Sequence, residues 1–318
     1  MDDTAVKEGW FEYKGNPVLG GKLGKCFDVA VMKENGRYRM WFSWRSQRNI
    51  ALTESNDGIQ WDEPRIVLRA VPGSIWEGDE VNRPSVIKRN GIYQMWYTGQ
   101  MRPETDGGTS AIGFAISDDG VTWNRVSKYP ILAPEKPWEK EALMSPHVMW
   151  DERTKIYRMW YCGGGHVEPD GIGFAQSVDG LQWEKHRGNP IFLPDPGGVW
   201  DNYKVGGPYV VYRDQWYWMF YIGYVSLDGY MLRSSIGIAR SPDGIAHWER
   251  TKNPIIEPVP GSWTAYSCYK PCVLFDGGAW KMWFNGGSGP DEWIEQIGYA
   301  WCDGKLSDFF GRNENESV

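Results

Sequence analysis

Residues 112–123 read Ile112-Gly113-Phe114-Ala115-Ile116-Ser117-Asp118-Asp119-Gly120-Val121-Thr122-Trp123, and the pattern recurs along the chain. Its second half, Ser-x-Asp-Gly-x-x-Trp, returns from Ser55 to Trp61 and from Ser177 to Trp183. It returns one residue longer from Ser241 to Trp248, and degenerate at Cys302-Asp303-Gly304. Its first half, Ile-Gly-x-Ala, returns at Ile172, Ile236 and Ile297. Upstream of each unit lies an aromatic run of the type Tyr-x-Met-Trp-Tyr, beginning at Tyr38, Tyr93, Tyr157, Tyr217 and Trp280. Short aromatic and β-branched runs bounded by Gly, Asn and Asp are strands. Asp-Gly between two of them supplies the positive φ that a tight turn needs. No segment sustains helical periodicity. A period of about 60 residues with several short strands per copy is the signature of propeller blades.

Each unit therefore reads as four strands: A (Pro-x-Val), B (the aromatic run), C (Ile-Gly-x-Ala) and D, which starts at the Trp. The N-terminus carries a D strand with nothing before it, because Trp10 and Gly15-Asn16-Pro17-Val18 match Trp183 and Gly188-Asn189-Pro190-Ile191. The last unit has A, B and C but only a degenerate D. The expected fold is an all-β, five-bladed β-propeller forming one domain over residues 1–318. Residues 10–19 are expected to complete the last blade, so that no sheet edge stays open.

Composition narrows the function. An apolar fraction of 41% with 24% charged residues is that of a soluble globular chain. A net charge of −7 leaves no basic stripe for phosphates and argues against nucleic acid. No run approaches the roughly 18 apolar residues that span a bilayer, so no membrane partner is expected. The start, MDDTAVKEGW, lacks a secretory pattern, which gives a cytoplasmic expectation. Five scattered cysteines read as reduced and buried. Cys268 with Cys272 makes no zinc pair, and the four histidines have no ligand spacing, so no metal and no cofactor is expected. The 20 Trp serve core packing or stacking on sugar rings.

The D-to-A connections and the B–C loops share one end of such a channel. Trp76, Trp138, Trp200 and Trp263 each lie eight residues before Pro84, Pro146, Pro208 and Pro271, and Val29 takes the Pro place in the first unit. The residues just before that place are Asp28, Arg83, Ser145, Gly207 and Lys270. The connections add Asp79, Glu80, Glu141, Tyr203, Lys204 and Tyr266, and His147 follows a Pro. The B–C loops add Trp44 and Arg45, residues 102–106, His166, Glu168, Asp170, Asp228 with Arg233, and residues 291–295. These charges serve either intrablade ion pairs and solvation or a site. A carboxylate pair beside aromatic rings is what glycoside cleavage requires: one protonates the leaving oxygen, the other activates water or attacks the anomeric carbon. Trp61, Trp123, Trp183 and Trp248 are expected to be buried, and at least one of Trp76, Trp138, Trp200 and Trp263 to line the pocket.

The repeated unit resembles the five-bladed propeller glycosidases that include arabinanases, β-xylosidases, invertases and levansucrases, with mannoside phosphorylases nearby. The resemblance spans nearly the whole chain. It implies that Asp28, in Phe27-Asp28-Val29-Ala30-Val31, is the base or nucleophile. The family's second Asp falls at Ser145, and its acidic Glu falls in Gly206-Gly207-Pro208, so two family positions are vacant. The acid is then expected from Glu80 or Glu141, with Asp79, His147, His166 and Glu168 as further options. Substrate contacts are expected from Trp44, Asp79, Arg83, His147, His166, Tyr203, Lys204, Tyr266 and Lys270. The implied activity is hydrolysis of a furanoside or small oligosaccharide. A transferase or phosphorylase using Arg83, Lys204 and Lys270 as an anion site is one alternative, and a non-catalytic sugar-binding propeller is another.

Overall fold

The computed structural model describes residues 9–101, 108–165, 168–227, 232–289 and 293–310, and it is all-β with a few short 3-10 turns. The first antiparallel group holds β2 (Cys26–Glu34), β3 (Arg37–Trp44), β4 (Asn49–Ser55) and β5 (Arg65–Leu68). The second holds β6 (Glu80–Arg89), β7 (Ile92–Met101), β8 (Thr109–Ser117) and β9 (Asn124–Arg125). The third holds β10 (Ala142–Asp151), β11 (Ile156–Gly164), β12 (Pro169–Ser177) and β13 (Glu184–Lys185). The fourth holds β14 (Lys204–Arg213), β15 (Trp216–Ser226), β16 (Leu232–Ser241) and β17 (Glu249–Arg250). The last holds β18 (Ser267–Asp276), β19 (Ala279–Gly287) and β20 (Glu295–Cys302), with β1 (Phe11–Glu12) on its edge. Single parallel contacts, Ser110 with Ala142 and Ser234 with Ser267, link neighbouring groups.

The N-terminal segment sits where the repeat places a D strand. Phe11 and Glu12 pair with Trp301 and Ala300. Asn16 accepts from Tyr299 N at 2.8 Å and donates to Tyr299 O at 3.0 Å. Asn189 makes the same two bonds to Phe174.

The Ser-x-Asp-Gly turns are braced by their own side chains. Ser117 Oγ accepts from Gly120 N at 2.8 Å, and Asp119 Oδ1 accepts from the next two amides at 2.7 Å. Those amide bonds hold the Asp119 carboxyl down to about 2. The Gly carbonyl then accepts an indole N–H from the preceding group. The pairs are Trp41 with Gly120, Trp96 with Gly180, Trp160 with Gly244, and Trp283 of the last group with Gly58 of the first. The fourth group lacks this bond because Phe220, which has no N–H, holds the indole place, while Trp218, two residues earlier, donates to Arg213 O.

These inner Trp residues, all fully buried, are the principal core, which corrects the expectation for the turn tryptophans. Trp123 is buried, whereas Trp61, Trp183 and Trp248 are only half-buried. Trp61, Trp123 and Trp183 lie edge-on against the buried indole of the neighbouring group. The set at Trp76, Trp138, Trp200 and Trp263 is also placed differently from expectation. Each of these rings lies over a pair of strand glycines, such as Gly163 and Gly173 beneath Trp138, where any Cβ would collide. The glycine of Ile-Gly-x-Ala is there for that close approach. All five cysteines are buried and unpaired by disulfides.

Candidate active site

Five residues at the Pro place share one backbone device. Asp28, Arg83, Ser145, Gly207 and Lys270 all have φ between 48° and 54°. Each sits at a register break between the first two strands of its group. Such a bulge re-aims a side chain, and left-handed non-Gly backbone persists only where its surroundings hold it. A side chain of the preceding group does so in four cases by accepting the bulge N–H. The pairs are Ser43 Oγ with Arg83 (2.8 Å), Thr98 Oγ1 with Ser145 (3.1 Å), Cys162 Sγ with Gly207 (3.0 Å) and Asn285 Oδ1 with Asp28 (3.1 Å). Ile222 occupies the equivalent place before Lys270.

All five line one cavity of about 360 Å³. Phe27, Arg45, Glu168, Tyr224, Tyr269, Trp293 and Glu295 contribute to its wall. The volume falls in the range of small-molecule sites. Asp28, 3% exposed, faces Arg83 Nε at 3.3 Å through Oδ2 and accepts from Asn285 Nδ2 at 3.2 Å through Oδ1. Arg45 lies over the Phe27 ring at 4.2 Å, with Nε 3.6 Å from Glu80 and 3.9 Å from Glu295. Tyr269 donates to Glu295 at 2.7 Å, and Tyr224 donates to Glu168 at 2.8 Å.

Burial is the dominant influence on both deep carboxyls. It pushes Asp28 above the usual carboxylate range, against the pull of Arg83, Lys270 and Arg45, and Glu295 adds to the rise. Glu168, partly accessible through the cavity but closely surrounded, is also pushed up by burial; the Tyr224 hydrogen bond, Arg83 and Lys204 oppose the shift. Desolvation lowers Lys270, with Asp28 opposing. Four buried polar atoms of this wall have no hydrogen-bond partner among the described residues: Asp28 Oδ2, Arg45 Nε, Ser267 Oγ and Glu295 Oε2.

The structure brings Asp28, Arg83 and Lys270 together with Glu168, one of the further acid options, in one wall. Glu80 and Asp79 line a second recess of about 970 Å³ that shares Arg45 and Trp293 with the first. Glu141 belongs to the wall of neither. His147 lines a separate cavity with Ser85 and Tyr209, with Nε2 2.7 Å from Val210 O. Burial, reinforced by Lys270, holds its imidazole down to about 3, a neutral ring. Trp44 donates to Leu23 O and stacks toward Phe42. Lys204 pairs with Asp170 at 3.0 Å, Tyr203 is exposed, and Tyr266 stands edge-on to Trp293. His166 lies outside the described residues, as do residues 102–106, Asp228 and Asp291. Sequence reasoning passed over Tyr224, Tyr269 and Asn285. The signal for Asn285 was its place five residues into the B run, level with Ser43 and Thr98.

Buried carboxyls, cations and aromatic rings gathered at inner-strand bulges are the groups that glycoside chemistry uses. The chain belongs to the glycosyl hydrolases family 43, whose model matches residues 14–258. It is 29% identical over 266 residues to the uncharacterized protein Rv1502 of Mycobacterium tuberculosis, covering 80% of this chain and 85% of that one. It is 27% identical over 207 residues to a 1,2-β-oligomannan phosphorylase of Thermoanaerobacter sp., covering 64% and 62%. Its fold is similar to that of a thermostable family-43 glycoside hydrolase, with a TM-score of 0.68 at 18% identity, covering 89% and 91%. The family model places the chain among the glycosyl hydrolases.

Proposed function

We propose that the chain hydrolyses a glycoside in the Asp28 cavity, with Asp28 as base or nucleophile and Glu168 as acid. The observation that carries this reading is the wall itself: buried polar atoms with spare hydrogen-bonding capacity surround a space of sugar-binding size. Glu168 takes the acid role because it shares that wall with Asp28, whereas Glu80 and Glu141 do not. Burial raises both carboxyls, so the roles divide by what opposes it: three cations at Asp28, against the Tyr224 hydrogen bond, Arg83 and Lys204 at Glu168. Arg83, Lys270 and Arg45 favour the ionised form of Asp28, which takes a proton from water or attacks the anomeric carbon. Burial favours the protonated form of Glu168, which passes its proton to the leaving oxygen. The five strand groups are read here as the blades of one closed propeller domain, completed by residues 10–19.

One observation favours a second reading. Arg45, Arg83 and Lys270 share the wall, and phosphate could replace water as the attacking group there. The test incubates the full chain with 4-nitrophenyl furanosides and pyranosides and with β-1,2-mannobiose, with and without inorganic phosphate. Hydrolysis predicts free sugar at a rate independent of phosphate. Sugar 1-phosphate formed only with phosphate would replace hydrolysis by phosphorolysis, and no turnover under either condition would overturn both.

A further inference from the structure

We propose that Asn285 is the positioning residue for Asp28, setting both its left-handed backbone and the ionisation of its carboxyl; this rests on the role proposed for Asp28. Five equivalent positions face the five bulges: Ser43, Thr98, Cys162, Ile222 and Asn285. A hydroxyl or thiol at that place needs only to accept the bulge N–H, as at Arg83, Ser145 and Gly207. Asn285 alone among the five offers an acceptor and a separate donor, and it faces the single carboxylate among the bulge residues. Its orientation follows from chemistry. A backbone N–H can only donate, so Asp28 N must meet the amide oxygen, at 3.1 Å. The NH₂ group is then turned onto Asp28 Oδ1, at 3.2 Å. Asn285 is fully buried in β19, in the last strand group, so the last group aims the first group's carboxyl.

A donor on the charged form of a carboxyl favours that form, so removing it moves the titration upward. The other groups facing Asp28 stay in place: Arg83, Lys270, Arg45, Glu295, Tyr269 and Glu168.

Asn285→Ser copies Ser43, keeping an acceptor for the bulge N–H and exchanging the separate amide donor for a single hydroxyl proton on the accepting atom; Asn285→Leu removes both. The experiment uses the full chain with carbon-13 label at the Asp carboxyls, and the Asp28 signal is identified by its loss in Asp28→Asn. Asn285→Ser should melt within a few degrees of wild type, and its Asp28 should titrate about one pH unit higher. The acidic limb of kcat/KM on whichever 4-nitrophenyl glycoside the wild type cleaves should move by the same amount. Asn285→Leu should show that shift together with a lower Tm. Should Asn285→Ser not fold, Asn285→Thr, copying Thr98, takes its place. An unmoved Asp28 titration in a folded variant without a strong donor, Asn285→Leu or Asn285→Cys, which copies Cys162, overturns the proposal. Full turnover by Asp28→Asn would remove the catalytic role of Asp28 while leaving the titration result to judge Asn285 by itself.

Discussion

At Asp28 two influences oppose each other: burial favours the neutral acid, and the adjoining guanidinium and ammonium groups favour the carboxylate. Burial prevails, so the carboxyl ionises above its ordinary 3.8, and Glu168 gives up its proton above its ordinary 4.5. The proposed reaction needs Asp28 ionised and Glu168 protonated, so kcat/KM should rise through the first titration and fall through the second. Both limbs should lie above those ordinary values, which a pH–rate profile between pH 3 and pH 9 checks. An acidic limb at or below 3.8 would contradict the electrostatics. Glu168→Gln keeps the shape and removes the proton, so it should lower kcat/KM by about 10²–10⁴-fold. Burst analysis on substrates with activated leaving groups should show a smaller loss. The place of Asp28 in the cavity wall was legible in the sequence because one repeat position carries it. Glu168 was only one option among several loop residues, since its approach to Asp28 depends on how separate strand groups face one another.

Among the elements, the bond from a buried indole to the next group's turn is the recurring joint. Trp160→Ala removes a fully buried ring and its bond to Gly244 O, and should cost roughly 3–5 kcal/mol. Trp248→Ala, at a half-buried ring, should cost distinctly less in the same urea titration. Equal losses would mean that the turn rings carry as much of the core as the inner ones. The sequence showed strands, turns and their order, because period and turn chemistry are local. It did not show which Trp of each unit would be innermost. Three Trp places recur per unit with similar flanks, and only packing against glycines such as Gly163 and Gly173 separates them.

For the molecule as a whole, the N-terminal segment and the last-to-first contacts do the same work. Trp10 is fully buried among Phe220, Ile238, Met282 and Cys302, and Asn16 bridges to Tyr299. Deleting residues 1–19 should therefore expose the edge of β20 and lower Tm severely or drive the chain to aggregate; an unchanged Tm would refute the proposed closure. That joint also carries the site, since Asn285 and Asp28 meet across it. The match of Trp10 to Pro17 with Trp183 to Pro190 made the segment's place readable in advance. The consequence for catalysis was not readable, because it depends on two side chains 257 positions apart. The central claim is that glycoside bonds are cleaved at Asp28. Its most direct measurement is product formation, followed by proton NMR, from a substrate the wild type turns over, with wild type and Asp28→Asn compared at equal concentration. The account predicts turnover by wild type and a loss of at least about 10²-fold in Asp28→Asn, with melting temperatures within a few degrees. Undiminished turnover by a well-folded Asp28→Asn would contradict it.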